Sequence, residues 1–337
     1  MSWLQRSAAS DAFRKLCTLN SQRFEIENKL IPPNNLLYHY TTAEGLKGII
    51  EGHEIWATSA YYLNDSAEVA YGCKIVTEAL ISWLLKRNPS DKSFAVAMAE
   101  MLRTVFSRDL SDASAHRPVF LACFCENDNL LSQWRFYGQS GGYSIGLAVP
   151  TPQDGVPPTM MPEPVIYTSK WAKVVYNKAE QLTRCQAALE GTLAALMPPE
   201  VGNDIFSQNP EGIFGIKRFL AIIADILLDE VVAFKDQAFE VENEWRIVVR
   251  PRELYKQGTD DGSKTPVPIY FRTRNGLIVP YVRMLPTKNH HIKLPIVSVR
   301  TGPTLDKNNA ALSVNMLMQK NGYSGVAITG SDITVRL

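Results

Sequence analysis

Glu242, Glu244 and Arg246 stand two residues apart in the stretch Phe239 to Arg250, where apolar and polar residues alternate. On a strand, side chains two apart share a face. The alternation therefore predicts Phe239, Val241, Trp245, Ile247 and Val249 on a core face and Glu240, Glu242, Glu244, Arg246 and Arg250 on a polar one. A carboxylate and a guanidinium at this fixed spacing can hold a ribose hydroxyl and a phosphate, or a second carboxylate, in the orientation that directed attack requires. Glu244 lies between Glu242 and Arg246, and a nearby cation favours its ionised form, so it is the expected reactive carboxylate. The same pattern also fits a solvated antiparallel face whose charges pair across to the next strand.

The second candidate is His39, in Tyr38-His39-Tyr40-Thr41. It falls at the end of a short strand, just before a helix N-terminus, where an imidazole can bond a sugar beside backbone donors suited to an anion. A histidine flanked by tyrosines also fits a satisfied core residue. Gly142-Tyr143-Ser144-Ile145-Gly146 matches the nucleophile-elbow pattern, but the residues that follow continue a strand where the elbow needs a helix, so Ser144 is rejected. Cys123 and Cys125 share a strand face and read as small buried hydrophobes. His290-His291 has no carboxylate or cysteine at ligand spacing, so no metal is expected.

Elements that would position these residues can be read in order. Residues 1 to 34 are an N-terminal helical extension. Leu36 to Tyr40 is a strand, Thr41 to Glu44 a capping box, and a helix runs to Glu51. Ile55 to Ser59 is a second strand, after which Asn64-Asp65-Ser66-Ala67-Glu68 caps a helix. Val119 to Phe124 is a central strand, and a short helix carries Trp134 and Tyr137 before the strand Tyr143 to Val149. The stretch 150 to 164 is a Pro-rich loop. Long helical patterns cover about 170–196 and 212–233. Asn275-Gly276 joins two strands as a type I′ hairpin, Ile296 to Arg300 is a strand, a helix spans 304–321, and the chain closes on the strand Gly325 to Ile328. The prediction is one α+β domain over residues 35–337, with helical insertions at about 66–108 and 170–233.

With 35 basic against 34 acidic residues among 337, the chain carries no global field for a polyanion. Its five cysteines include no C-x-x-C pair, which fits a reducing compartment. The N-terminus lacks signal-peptide character and no stretch approaches the roughly 20 apolar residues of a membrane span. A cytoplasmic protein without a membrane partner is expected.

Tyr38-His39-Tyr40-Thr41, Leu63-Asn64-Asp65 with Glu68, Cys123-Phe124 with Trp134 and Tyr137-Gly138, Glu242-Asn243-Glu244-Trp245-Arg246, and Ser331-Asp332-Ile333 follow one another in the chain. This succession resembles a widespread bacterial domain family with no assigned reaction, over nearly everything from residue 35 onward. More distantly, the arrangement looks like the His-Tyr-Glu set of ADP-ribosyltransferases. That resemblance implies an ADP-ribosyltransferase-like central sheet and NAD as substrate, without a metal. It gives His39 the adenosine ribose with Thr41 assisting, Tyr61 or Tyr62 the nicotinamide, and Glu244 the nicotinamide ribose. Tyr40, Asn64 and Asp65 would line the same cleft, and Arg246 or Lys235 would face the pyrophosphate. The acceptor would be a protein or nucleic acid, as for a toxin or phage-defence effector. A non-catalytic nucleotide-binding domain, and a hydrolase or nuclease using His39 with Glu242 and Glu244, are the alternatives. His39 and Glu244 are expected on neighbouring strands facing one cleft.

Overall fold

The computed structural model describes residues 32–63, 67–111, 119–137, 142–149, 167–196, 210–251, 269–274, 276–284, 293–303 and 306–333. The expectations for residues 1–30, the Asn64-Asp65-Ser66 turn, the Pro-rich loop and His290-His291 lie outside these residues. The chain divides into two compact units. Among the described residues, one holds the ten strands and the other is helical.

Strands β1 (Leu36–Thr41), β2 (Ile55–Ser59), β3 (Phe120–Cys125), β4 (Tyr143–Ala148), β5 (Tyr167–Lys173), β6 (Glu244–Pro251), β7 (Tyr270–Arg274), β8 (Leu277–Met284), β9 (Ile296–Thr301) and β10 (Ala327–Gly330) form one mixed sheet. Its main path runs β10-β9-β4-β1-β3-β2-β8-β7, with β6 paired to both β3 and β5. Helices α1 (Ala43–Gly52) and α4 (Leu131–Tyr137) belong to this unit, as does the later helix Lys307–Lys320. The chain is thus α+β.

Alternation sorts the sheet into two faces. Leu46, Ile49 and Ile50 of α1, with Val314 and Met318 of the late helix, pack on Leu37, Phe120, Ala122, Phe124, Trp245, Ile247 and Val249. A buried side chain of this kind contributes about 1.5–3 kcal/mol, so this apolar face holds the sheet together. The opposite face carries Tyr38, Tyr40, Cys125, Glu244 and Arg246, and it holds the candidate site.

In the helical unit, α2 (Ala67–Arg87), α3 (Lys92–Ser111), α5 (Lys178–Leu196) and α6 (Pro210–Val231) cover the two regions where helical insertions are expected. Gly72 lets α2 approach α6 closely, since a Cβ there would sit 2.3 Å from the Val231 carbonyl oxygen. None of the described helices is long and apolar enough to cross a membrane.

Three local expectations are corrected. The cap of α1 is Thr42, whose hydroxyl accepts from Gly45 N–H, whereas Thr41 remains the last residue of β1. Residues 170–173 are strand: Trp171 sits opposite Ile247 in the β5–β6 ladder, so pairing overrides a helix-like apolar spacing. The third correction bears on chemistry. Residues Gln237–Glu242 form a 3-10 helix, and Asn243 adopts a positive φ of 41° before β6 begins at Glu244. Alternation does not pass through such a turn, and Val241 is accordingly 61% exposed.

Candidate functional site

The site begins with an incompletely paired strand. Along one edge β3 pairs with β6 over Phe120 to Cys125. Along the other edge β2 takes only Phe120 and Leu121, while β1 meets β3 only where Tyr38 faces Cys125. The residues between, Ala122 to Phe124, have no strand partner on that side among the described residues. His39 fills the opening, with Nδ1 2.9 Å from the Cys123 carbonyl oxygen and its ring centroid 5.5 Å from that of Phe124. Strand carbonyls point within the plane of a sheet, so an imidazole bonded to one lies level with the strands.

A carbonyl only accepts, so Nδ1 carries the proton and Nε2 is the acceptor of the neutral ring. Burial pushes the His39 pKa below 6.5, the Cys123 carbonyl opposes this, and the charge of Arg272 adds to the lowering. The ring is therefore neutral at neutral pH. The unfolded chain binds more protons than the folded one below about pH 6.5, so the stability linked to this group is complete above that value and is lost as pH falls through it toward the folded pKa. Urea titrations from pH 7 to pH 5 will show a steeper loss of stability for the natural chain than for His39→Asn. Parallel profiles would show that His39 is not the depressed group.

On the polar face, Tyr38, Cys125 and Glu244 form one row across β1, β3 and β6, and Cys123 lies opposite Arg246. Arg246 grips Glu244 as a fork, Nε to Oε1 at 2.8 Å and Nη2 to Oε2 at 3.0 Å, with the two residues only 1% and 4% exposed. This pairing runs along one strand. Tyr137, at the end of α4, approaches the same group. Its phenol pKa is raised by burial first, then by Cys123, Glu244 and Cys125, with Arg274 opposing.

Two further cations reach this face from β7. Thr58 sits opposite both Leu121 and Tyr281, and Arg272 sits opposite Val279, which places Thr58 and Arg272 on the side of Glu244. Arg272 Nη2 donates to Thr58 Oγ1 at 2.8 Å, and its guanidinium lies 5.5 Å from the Trp56 ring and 5.9 Å from the Tyr281 ring. Arg274 donates to the Tyr62 carbonyl. Sequence reasoning passed over Tyr137, Arg272 and Arg274 as site residues. The signal for the arginines was the alternation Arg272-Thr273-Arg274 running into the Asn275-Gly276 turn.

Several expected site residues are placed otherwise. His39 and Glu244 are not on neighbouring strands, because β3 stands between β1 and β6. Alternation puts the His39 Cβ in the row of Phe124 and Trp245, one row from Glu244 and on the opposite face. Its ring bonds the Cys123 carbonyl at the opening and meets Phe124, a residue of that apolar face. Glu242 is buried in the 3-10 helix and does not share the strand face of Glu244, which removes the paired-carboxylate premise of a hydrolase or nuclease. Lys235 belongs to the helical unit, where Glu68 holds its ammonium at 2.9 Å. Thr41 is buried beside Tyr143, and Tyr61 and Tyr62 form the 3-10 turn after β2. Asn64 and Asp65 lie outside the described residues. Among the described residues no three His, Cys, Asp or Glu side chains gather closely enough to hold a metal.

Tyr40 has a positioning role. Its hydroxyl donates to the Asn127 carbonyl at 2.9 Å and accepts from Leu130 N–H at 2.8 Å, and its ring meets Trp134 edge-on at 4.8 Å. Asn129 completes this support for α4. Its Oδ1 accepts from Trp134 Nε1 at 2.9 Å and from the Ser331 hydroxyl at 2.7 Å, while its Nδ2 donates to Asp332 at 2.6 Å. Tyr40, the Trp134 helix and Ser331-Asp332 thus meet around the segment Asn127 to Leu130. Asn129→Ala would deprive the buried Trp134 N–H and Ser331 hydroxyl of their common acceptor. At about 1–2 kcal/mol for each such neutral group, the expected loss is roughly 2–4 kcal/mol, read from the urea midpoint. A loss below about 0.5 kcal/mol would remove Asn129 from the support of α4.

Compared with protein-family models, with curated proteins and with solved structures, the chain gives no significant match in any of the three.

Proposed function

We propose that this chain is an NAD-consuming, ADP-ribosyltransferase-like enzyme, with its site where β1 and β2 part along β3. The observation that carries the reading is a neutral His39 imidazole at that opening, with a rigidly held Glu244 carboxylate one strand away and the Tyr137 phenol near that carboxylate. Breaking the bond between nicotinamide and ribose leaves positive charge on the sugar, and a carboxylate fixed in advance lowers that barrier. His39 Nε2 would accept from a ribose hydroxyl. Tyr61, Tyr62 or Tyr137 would supply the aromatic face for nicotinamide. The acceptor of ADP-ribose would be water, a protein or a nucleic acid, which suits a toxin or phage-defence effector.

A second reading, nucleotide binding without turnover, is favoured by one observation. Both Glu244 oxygens are engaged by Arg246, whose charge offsets the field that a ribose cation would need. One pair of measurements separates the two. The pure protein is incubated with NAD, with and without cell lysate, and free nicotinamide is quantified by chromatography while NAD affinity is measured by calorimetry. Nicotinamide release upholds the enzyme, and saturable binding without release upholds the binding domain. Neither binding nor release overturns both.

A further inference from the structure

We infer that Arg272 and Arg274 form a clamp for a phosphoryl group, at the edge of the same opening. The inference does not depend on NAD being cleaved. Arg272, Arg274 and Arg246 all belong to the polar face, but only Arg246 is matched there by a carboxylate. Among the described residues no acidic side chain pairs with Arg272 or Arg274. Arg272 is bound by a single neutral acceptor, the Thr58 hydroxyl, and its Nε–H is enclosed with no hydrogen-bond partner.

Such an arrangement is costly for the protein alone. An enclosed N–H of a charged group without an acceptor is destabilising, and Arg274 adds like-charge repulsion. That strain shows in the Arg272 pKa, which is lowered by burial first and by Arg274 second. Meanwhile Trp56, Tyr281 and Thr58 hold the guanidinium in one orientation, so it is fixed before any ligand arrives.

The chemistry of the missing partner follows. Two guanidinium forks two residues apart on one strand match the several oxygens of a phosphate or diphosphate, with parallel N–H donors to each. The pair carries two positive charges, and neutral His39 and Tyr137 beside it carry donors and acceptors without a competing charge. A dianionic phosphoryl group would supply both the countercharge and the acceptor that Nε–H lacks, with a small tilt of the guanidinium to reach it.

The test is calorimetric titration of the full chain with inorganic phosphate and with pyrophosphate at low salt. The variants are Arg272→Gln, Arg274→Gln and, as a charge control in the helical unit, Arg103→Gln, each checked for folding by circular dichroism. Saturable pyrophosphate binding by the natural chain, weakened on the order of tenfold or more in each clamp variant and unchanged in Arg103→Gln, is the expected result. Among the described residues Arg274 is tied to the fold through one carbonyl, so its variant reads the clamp even where Arg272→Gln fails to fold. Absence of binding by the natural chain, or equal binding by Arg274→Gln and Arg103→Gln, overturns the clamp. Loss of pyrophosphate binding in the clamp variants while the natural chain leaves NAD untouched upholds the clamp and sinks the NAD reading.

Discussion

Replacing Arg246 with methionine will lower stability by about 3–5 kcal/mol, the largest structural effect expected of any single change at the site. Arg246 is 1% exposed and places two donors on the two oxygens of Glu244, which is itself 4% exposed. Methionine fills much of the same length, so packing is nearly kept and the loss isolates charge and hydrogen bonding. Glu244 would then keep a buried charge from which the guanidinium fork had been taken. The double variant Glu244→Leu/Arg246→Met should recover most of the loss, because an apolar pair of similar volume avoids the desolvation of both ions. Urea midpoints for the two single variants and the double variant form the measurement. A loss below about 1 kcal/mol for Arg246→Met would mean that the pair is not a structural element of this sheet.

Glu244→Gln should reduce nicotinamide release by on the order of a hundredfold or more, with far less effect on NAD binding. Glutamine keeps the size and one acceptor for Arg246, so the fold should suffer less than in Arg246→Met while the negative charge disappears. Glu242→Gln is the control. That carboxyl lies in the 3-10 helix before Asn243, not on the face of β6, so its variant should retain turnover if it stays folded. Activity lost in folded Glu242→Gln and kept in Glu244→Gln would reverse the assignment. Because Glu244 also anchors Arg246, the assay needs the melting curve of each variant, and the two effects separate by readout: stability follows the pair, turnover follows the carboxylate charge.

Where local chemistry alone decides a conformation, the sequence was sufficient. Ile55–Ser59 is a strand at the expected bounds, Phe120–Cys125 is the central strand within one residue, and Gly276 with φ 78° occupies the hairpin turn. Short apolar runs bounded by turn residues leave few alternatives, and glycine meets a backbone need that few other residues can. Glu244 and Arg246 on one face of a strand were also legible, because a spacing of two is a property of the extended chain itself.

Partners were not legible. Nothing in Phe239-Glu240-Val241-Glu242-Asn243 distinguishes a continued strand from a 3-10 turn, since the pattern is apolar-polar in both and one left-handed residue, Asn243, separates them. Lys235 and Arg246 were alike candidates to face a pyrophosphate, yet one meets Glu68 in the helical unit and the other Glu244 on the sheet. Arg272 and Arg274 were passed over, because only the pairing of β7 and β8 sets them on the face of Glu244. His39 could be placed near the end of a strand, but only the parting of β1 and β2 along β3 leaves the Cys123 carbonyl open for its ring. The physical reason is common to all of these. Local backbone preference acts between residues a few positions apart, whereas the charge and hydrogen-bond state of a buried group depends on whichever side chains the sheet brings beside it from far along the chain.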